Sequence, residues 1–225
     1  MTLRLALLNL PFVREAKGRK LEMWPAELLD DGQNSRKTGR AWAAQFLHVA
    51  REFDAPCVLH HIVEAMLTRQ ASSHEVGFLD EIAGAAISAP GGASPAVRVA
   101  AAALPCREGC GASSLPFYHA REDGSVNYWS VSPVARFEPD QSRGRHFAAL
   151  TVQVLRSAGS SALLARIVAS MRVSGQGDAD ADMRAAFWGT ISSVAMSASP
   201  VSSVYQEAML PIHRAGMLER SGVFG

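Results

Sequence analysis

Cysteine, lysine and long apolar runs are all scarce in this chain, and each scarcity narrows what the protein can be. Three cysteines in 225 residues make an odd number, which argues against a disulfide framework and for a reducing compartment. No apolar run reaches the ~18 residues that a membrane span requires. The N-terminal run from Leu5 to Val13 is interrupted by Asn9 and Pro11, and no small-residue cleavage site follows. It reads as a buried strand rather than a signal peptide. The cytoplasm is the expected location, with no membrane partner. Charge of one sign is missing too: the net charge is +1, which exerts no long-range pull on nucleic acid or membrane. Only 3 of the 22 basic residues are lysine. A GC-rich genome explains that bias simply; selection for the planar, forked donors of arginine is the sharper explanation.

Catalytic signatures are also absent. The chain has no GxSxG, HExxH or GxGxxG, so a conventional hydrolase, zinc protease or dinucleotide enzyme has no motif to rest on. Gly32 to Thr38 resembles a phosphate-binding loop, but Arg36 stands where a second glycine is needed before Lys37. Asp178 to Asp182 begins like a calcium loop, yet Met183 takes the place of its glycine and Gly189 that of its glutamate. Those aspartates suit a helix N-terminus, where the dipole favours negative charge.

What is present is a globular composition: 48% apolar and 19% charged residues. The expected fold class is α+β, predominantly α-helical, with an N-terminal strand plus helices, a central β-hairpin and a C-terminal helical bundle. The strand is placed at Leu3 to Val13, and a short helix near Pro25 to Asp30. The turn-rich DDGQNSRKTG delays the next helix to Arg40–Phe53, where Trp42, Phe46 and Val49 share a face. Two more follow, from Cys57 to Gln70 and, after the capping pair Ser72 and Glu75, to Ile87. The APGGASP stretch at 89–95 is the best linker, dividing 1–88 from 96–225, though one compact domain is equally compatible. The following VRVAAAAL fits strand or helix. Asp123-Gly124 marks a tight hairpin turn between Tyr118 and Trp129. Four helical patterns then follow, the last from Val201 to Met209, kinked at Pro211. No internal repeat is evident.

Three constellations could carry chemistry. In PCVLHHIVE, Cys57, His61 and Glu64 share the face opposite the apolar stripe, with His60 beside them. Such a face could ligate a metal or activate a thiol; a plain solvent face accounts for it equally simply. In LPCREGCG, Cys106 and Cys110 resemble the knuckle of a zinc ribbon. Joined to Cys57 and His60 or His61, or to His119, they would form one structural zinc site across the linker. Zinc is the only cofactor the sequence suggests. The third constellation is basic: Arg14, Lys17, Arg19, Lys20, then Arg36, Lys37 and Arg40, and later Arg143 and Arg145 at an expected helix start. Arginine beside helix-end amides suits phosphate; solvated loop charge is the plainer account.

The resulting expectation is a non-catalytic binding or assembly subunit. Its Arg-rich loops would contact nucleic-acid backbone, DNA or RNA, or a larger ribonucleoprotein or protein complex. The alternatives are a cysteine-dependent enzyme using Cys57 and His61, and a protein–protein adaptor.

Overall fold

Leu3–Leu8 is a helix (α1), where the sequence suggested a strand. A computed structural model describes residues 1–24, 32–90, 111–134, 136–174 and 179–198. The Thr2 hydroxyl caps α1 by accepting from the Leu5 amide. Leucine, arginine and alanine form helix readily, and β-branched residues are missing from this run. The chain extends only after Pro11. Strand β1 (Val13–Glu15) pairs antiparallel with β2 (Leu21–Met23), and Val13 faces Met23.

The second helix also departs from expectation: α2 spans Gln33–Glu52, starting well before Arg40. Its first turns contain turn-forming residues, but tertiary packing overrides their propensity. Ser35 and Gly39 are buried there. Helix α3 (Val58–Leu67) buries Leu59, Ile62, Val63 and Met66 as anticipated. Helix α4 (Ser73–Ser88) starts as anticipated, with the Ser72 hydroxyl accepting from the Glu75 amide at 3.3 Å.

The central hairpin joins β3 (His119–Ala120) to β4 (Val126–Asn127). Its loop is longer than the two residues expected. The Arg121 amide donates to the Ser125 carbonyl, and only Gly124 of the loop has positive φ, at 80°. Then come α5 (Phe137–Ala158), α6 (Ala162–Ser174) and α7 (Ala181–Met196). The α+β, mainly helical class holds. The short helix near Pro25, the VRVAAAAL stretch and the last helical pattern from Val201 fall outside the described residues, as do residues 91–95 of the linker.

These elements repeat. Leu10-Pro11-Phe12 returns as Leu115-Pro116-Phe117, and Trp24 as Trp129, at the same spacing. Phe12 and Phe117 stand at matching positions, but their bonds differ by one residue: the Phe12 carbonyl accepts from the Trp24 amide at 2.7 Å, and the Phe117 carbonyl from Ser130, the residue after Trp129, at 2.8 Å. Gly39, Arg40, Trp42, Ala43 and Ala44 of α2 return in α5 as Gly144, Arg145, Phe147, Ala148 and Ala149. The buried stripe Val58, Leu59, Ile62, Val63 and Met66 of α3 returns in α6 as Leu163, Leu164, Ile167, Val168 and Met171. After a longer connection, Phe78, Leu79 and Ile82 of α4 return in α7 as Phe187, Trp188 and Ile191. The fold is therefore two copies of hairpin–helix–helix–helix, against the reading that found no repeat.

The copies meet by the reciprocal rule of a two-fold interface, in which residue i contacts j and j contacts i. Arg51 of α2 donates to the Ala195 and Ala198 carbonyls at 3.1 and 3.0 Å, closing the C-terminus of α7. Its counterpart Arg156 of α5 donates to the Ala86 and Ala89 carbonyls at 3.3 and 2.9 Å, closing α4. Each copy thus binds terminal carbonyls of the other's helix; the Ala195 carbonyl also accepts from the Ala198 amide at 3.2 Å. One buried charged position has changed sign between copies and found a different partner. Buried Glu75 of α4 binds Arg172 of α6 at 2.7 Å. In Glu75's place α7 has Arg184, which binds Glu64 of α3 at 2.7 Å. One apolar core runs through both copies, from Ala6 to Ala198.

Candidate functional site

A scaffold used twice allows its surface residues to be compared position by position. The two hairpins are the clearest case. Ala16 N–H donates to the Lys20 carbonyl at 2.8 Å, as Arg121 N–H does to Ser125 at 2.8 Å. The first loop turns through Gly18 at φ 77° and Arg19 at φ 60°. Its side chains Lys17, Arg19 and Lys20 are exposed and make no ion pair among the described residues. At the matching positions the second tip has Glu122, Gly124 and Ser125. The same closing hydrogen bond thus carries a cationic tip in one copy and an acid-bearing tip in the other, although the first turn passes through two positive-φ residues and the second through one. The cations are not required for the turn.

The other basic residues divide differently. Arg14 donates to Glu22 at 2.8 Å. That carboxylate also binds Arg69 at 2.9 Å, and the Arg14 bond is the first cause of its lowered pKa. Arg36 and Arg40 converge on the buried Asp80 carboxylate at 2.9 and 3.4 Å. Lys37 follows Arg36 on α2 and is exposed. Arg143 and Arg145 are not at a helix start: α5 begins at Phe137, and Glu138 and Asp140 occupy its first turn. Arg143 donates to the Ser132 carbonyl at 2.7 Å and lies over the Phe147 ring. Arg145 is exposed and bonds the neutral Gln141 at 3.0 Å. The nine expected phosphate ligands are therefore not equivalent. Lys17, Arg19, Lys20 and Arg145 present charge with no carboxylate partner among the described residues. Arg14, Arg36, Arg40 and Arg143 already serve the fold.

On α3, Cys57 and His61 are exposed one turn apart, as the helical spacing implies, with no hydrogen bond between them among the described residues. Glu64 and His60 are not free face residues. Arg184 holds Glu64, and His60 Nδ1 lies 3.7 Å from the same carboxylate. Arg184 also pairs with the buried Asp180, which accepts from Trp129 Nε1 at 2.7 Å. Burial is the first cause that holds the His60 pKa below the ordinary histidine value; Glu64 opposes the shift, while His61 and Arg184 reinforce it. This polar cluster ties α3 to α7 and so joins the copies. Cys106 and Cys110 fall outside the described residues. Among those described, no group of three or more His, Cys, Asp or Glu could hold a metal, and no helix is long and apolar enough to cross a membrane.

One feature has no precedent in the sequence patterns. Between the second hairpin and α6 lies a groove of about 270 Å³, lined by Arg121, Asn127, Tyr128, Arg166, Ser170 and Val173 among others. The Arg166 guanidinium sits 5.8 Å from the Tyr128 ring centre and donates to its hydroxyl at 3.2 Å. The Ser170 hydroxyl accepts from the Tyr128 amide at 2.8 Å. Arg166 is separated from Arg121 by more than forty residues, so no local motif announces the pair. Comparison with family models, curated proteins and solved structures returns no match.

Proposed function

We propose that the protein is a non-catalytic binding or assembly subunit that contacts nucleic-acid backbone through the first hairpin tip. The observation that carries this reading is the contrast between the two tips. Lys17, Arg19 and Lys20 stand at positions where the second copy's tip has Glu122, Gly124 and Ser125. The fold gains nothing from cations at that place, so a partner is the economical reason for them. Three side chains of one sign on a short, backbone-fixed loop suit a run of phosphates, which neutralise them and release counterions. Arg145 adds a further exposed cation on α5.

Fluorescence anisotropy with single- and double-stranded DNA and RNA tests this. Binding should be present at low salt and fall steeply as salt rises. Replacing Lys17, Arg19 and Lys20 together by glutamate should abolish it at moderate salt. Replacement by glutamine should flatten the log–log salt dependence by about 2–3 units, near 0.9 per lost phosphate contact. Glu122→Lys, which makes the second tip more like the first, should tighten binding. Absence of binding to every oligonucleotide at low salt would overturn the reading and leave a protein as the partner of the tip.

A further inference from the structure

The groove between the second hairpin and α6 can be compared with its own counterpart, because the repeat supplies one. In the first copy the matching place lies between β2 and α3. There Glu22 is held by Arg14 at 2.8 Å and by Arg69 at 2.9 Å, so an ion-paired cluster occupies the site. In the second copy all three members are replaced: Asn127 matches Glu22, His119 matches Arg14, and Ser174 matches Arg69. The carboxylate is gone and the groove is open. Two cations have also appeared. Arg121 stands where the first copy has Ala16, and Arg166 where it has His61.

One carboxylate and two arginines thus give way to two arginines at other positions: the number of cations is unchanged, the carboxylate that neutralised them is gone, no carboxylate among the described residues lines the groove, and space is left. Nothing in the hairpin's own stability asks for this, since the first copy folds without it. Arg166 is exposed, lies over the Tyr128 ring and donates to its hydroxyl. Asn127 uses its side-chain oxygen to accept from the Trp129 amide at 2.8 Å, leaving its amide hydrogens as donors. Arg121 lies near Asp123, whose lowered pKa owes most to hydrogen bonds from Ser125 and less to Arg121. Asp123 does not line the groove. Val126, Tyr128 and Val173 supply apolar wall.

We infer that this groove binds a small ligand carrying an oxyanion on a compact apolar or aromatic body. The oxyanion would lie between the forked donors of Arg121 and Arg166, with the Asn127 amide as a third donor; arginine forks suit phosphate and carboxylate oxygens. The body would lie along Val126 and Val173. A volume of about 270 Å³ is slightly below the ~300 Å³ at which drug-sized pockets begin, which points to a small metabolite or a single terminal residue rather than a long chain.

The test is an NMR titration of the full chain with phenyl phosphate, benzoate, inorganic phosphate and benzyl alcohol, read at the Asn127 side-chain amide and the Arg121 and Arg166 Nε–H signals. Phenyl phosphate, benzoate or both should shift these signals saturably, inorganic phosphate more weakly, and benzyl alcohol not at all. The stronger of the first two identifies the oxyanion. Arg166→Ala and Arg121→Ala should each weaken binding about tenfold or more. Asn127→Glu, which restores the first copy's carboxylate, should do the same without touching either arginine, and it serves if an arginine variant fails to fold. The inference is overturned if no anion shifts these signals at millimolar concentration. Equal binding of benzyl alcohol, or unchanged affinity in folded Asn127→Glu, overturns it as well. A null result here leaves the hairpin-tip reading intact, because Lys17, Arg19 and Lys20 do not line the groove.

Discussion

Arg51 and Arg156 show how one residue can serve a fold from the opposite copy. Both lie on the same register of matching helices, and both reach across to the last carbonyls of the other copy's third helix. Hydrogen bonds to a charged donor are worth about 1.5–3 kcal/mol each, less where water competes. Arg51→Ala and Arg156→Ala should therefore each cost about 1–3 kcal/mol in chemical denaturation, and lysine should not restore the loss, since it lacks the fork. His60 adds a pH dependence. Burial lowers its folded pKa, so the native state prefers neutral imidazole. That preference stabilises above the ordinary value of 6.5 and is lost as pH falls through the lower folded value. Stability should drop on acidification across that window, and His60→Asn should flatten the drop. Such roles were invisible in the sequence. The helical spacing of Cys57 and His61 was legible, and so was the cationic run at Lys17 to Lys20. That Glu64 and His60 face Arg184, or that Asp80 neutralises Arg36 and Arg40, depends on chain segments far apart.

Among the elements, the closest packing is between the first and third helices of each copy. A Cβ added to Gly39 would overlap the His74 carbonyl, and one added to Gly77 the Arg36 carbonyl. Gly144 meets the Met183 carbonyl in the same way in the second copy. Gly39→Ala and Gly144→Ala should each destabilise by about 1–3 kcal/mol or more, by forcing the helices apart. Gly84→Ala is the control. Gly84 lies within α4 with open space at its Cβ, so alanine should stabilise by up to about 1 kcal/mol through helix propensity. Thermal melts of the three variants check the ordering. This packing is also why α2 began earlier than its local chemistry implied: Ser35 and Gly39 are small because α4 lies against them. Helices α3 and α4 were legible because their apolar stripes and the Ser72 cap are local signals. The first hairpin was not, since Ala16 to Lys20 lacks the aspartate–glycine pair that marked the second. The Leu5 to Val13 run reads as a strand from its apolar content, but its first part is helical, because helix-forming leucine and alanine follow the Thr2 cap.

At the scale of the molecule, the two copies share one core and reciprocal arginine contacts, so heat or denaturant should unfold them together. The repeat escaped the sequence because it survives mainly as a burial pattern. Identities are few, the charge at one matched position, Glu75 and Arg184, is reversed, and the connection before α7 is longer and breaks the register. Once the copies are aligned, differences between them separate scaffold from function. The hairpin tips differ in charge and the hairpin grooves differ in occupancy, while the helical stripes beneath them agree. We propose that the cations of the first tip, and not the shared scaffold, engage a nucleic-acid backbone. An amide-resolved NMR titration of the full chain with a short single-stranded oligonucleotide at low salt tests this. Shifts are expected at Lys17 to Lys20, with little change at Glu122 to Ser125 and loss of the effect when Lys17, Arg19 and Lys20 become glutamine. Equal shifts at both tips, or none at the first, would contradict it.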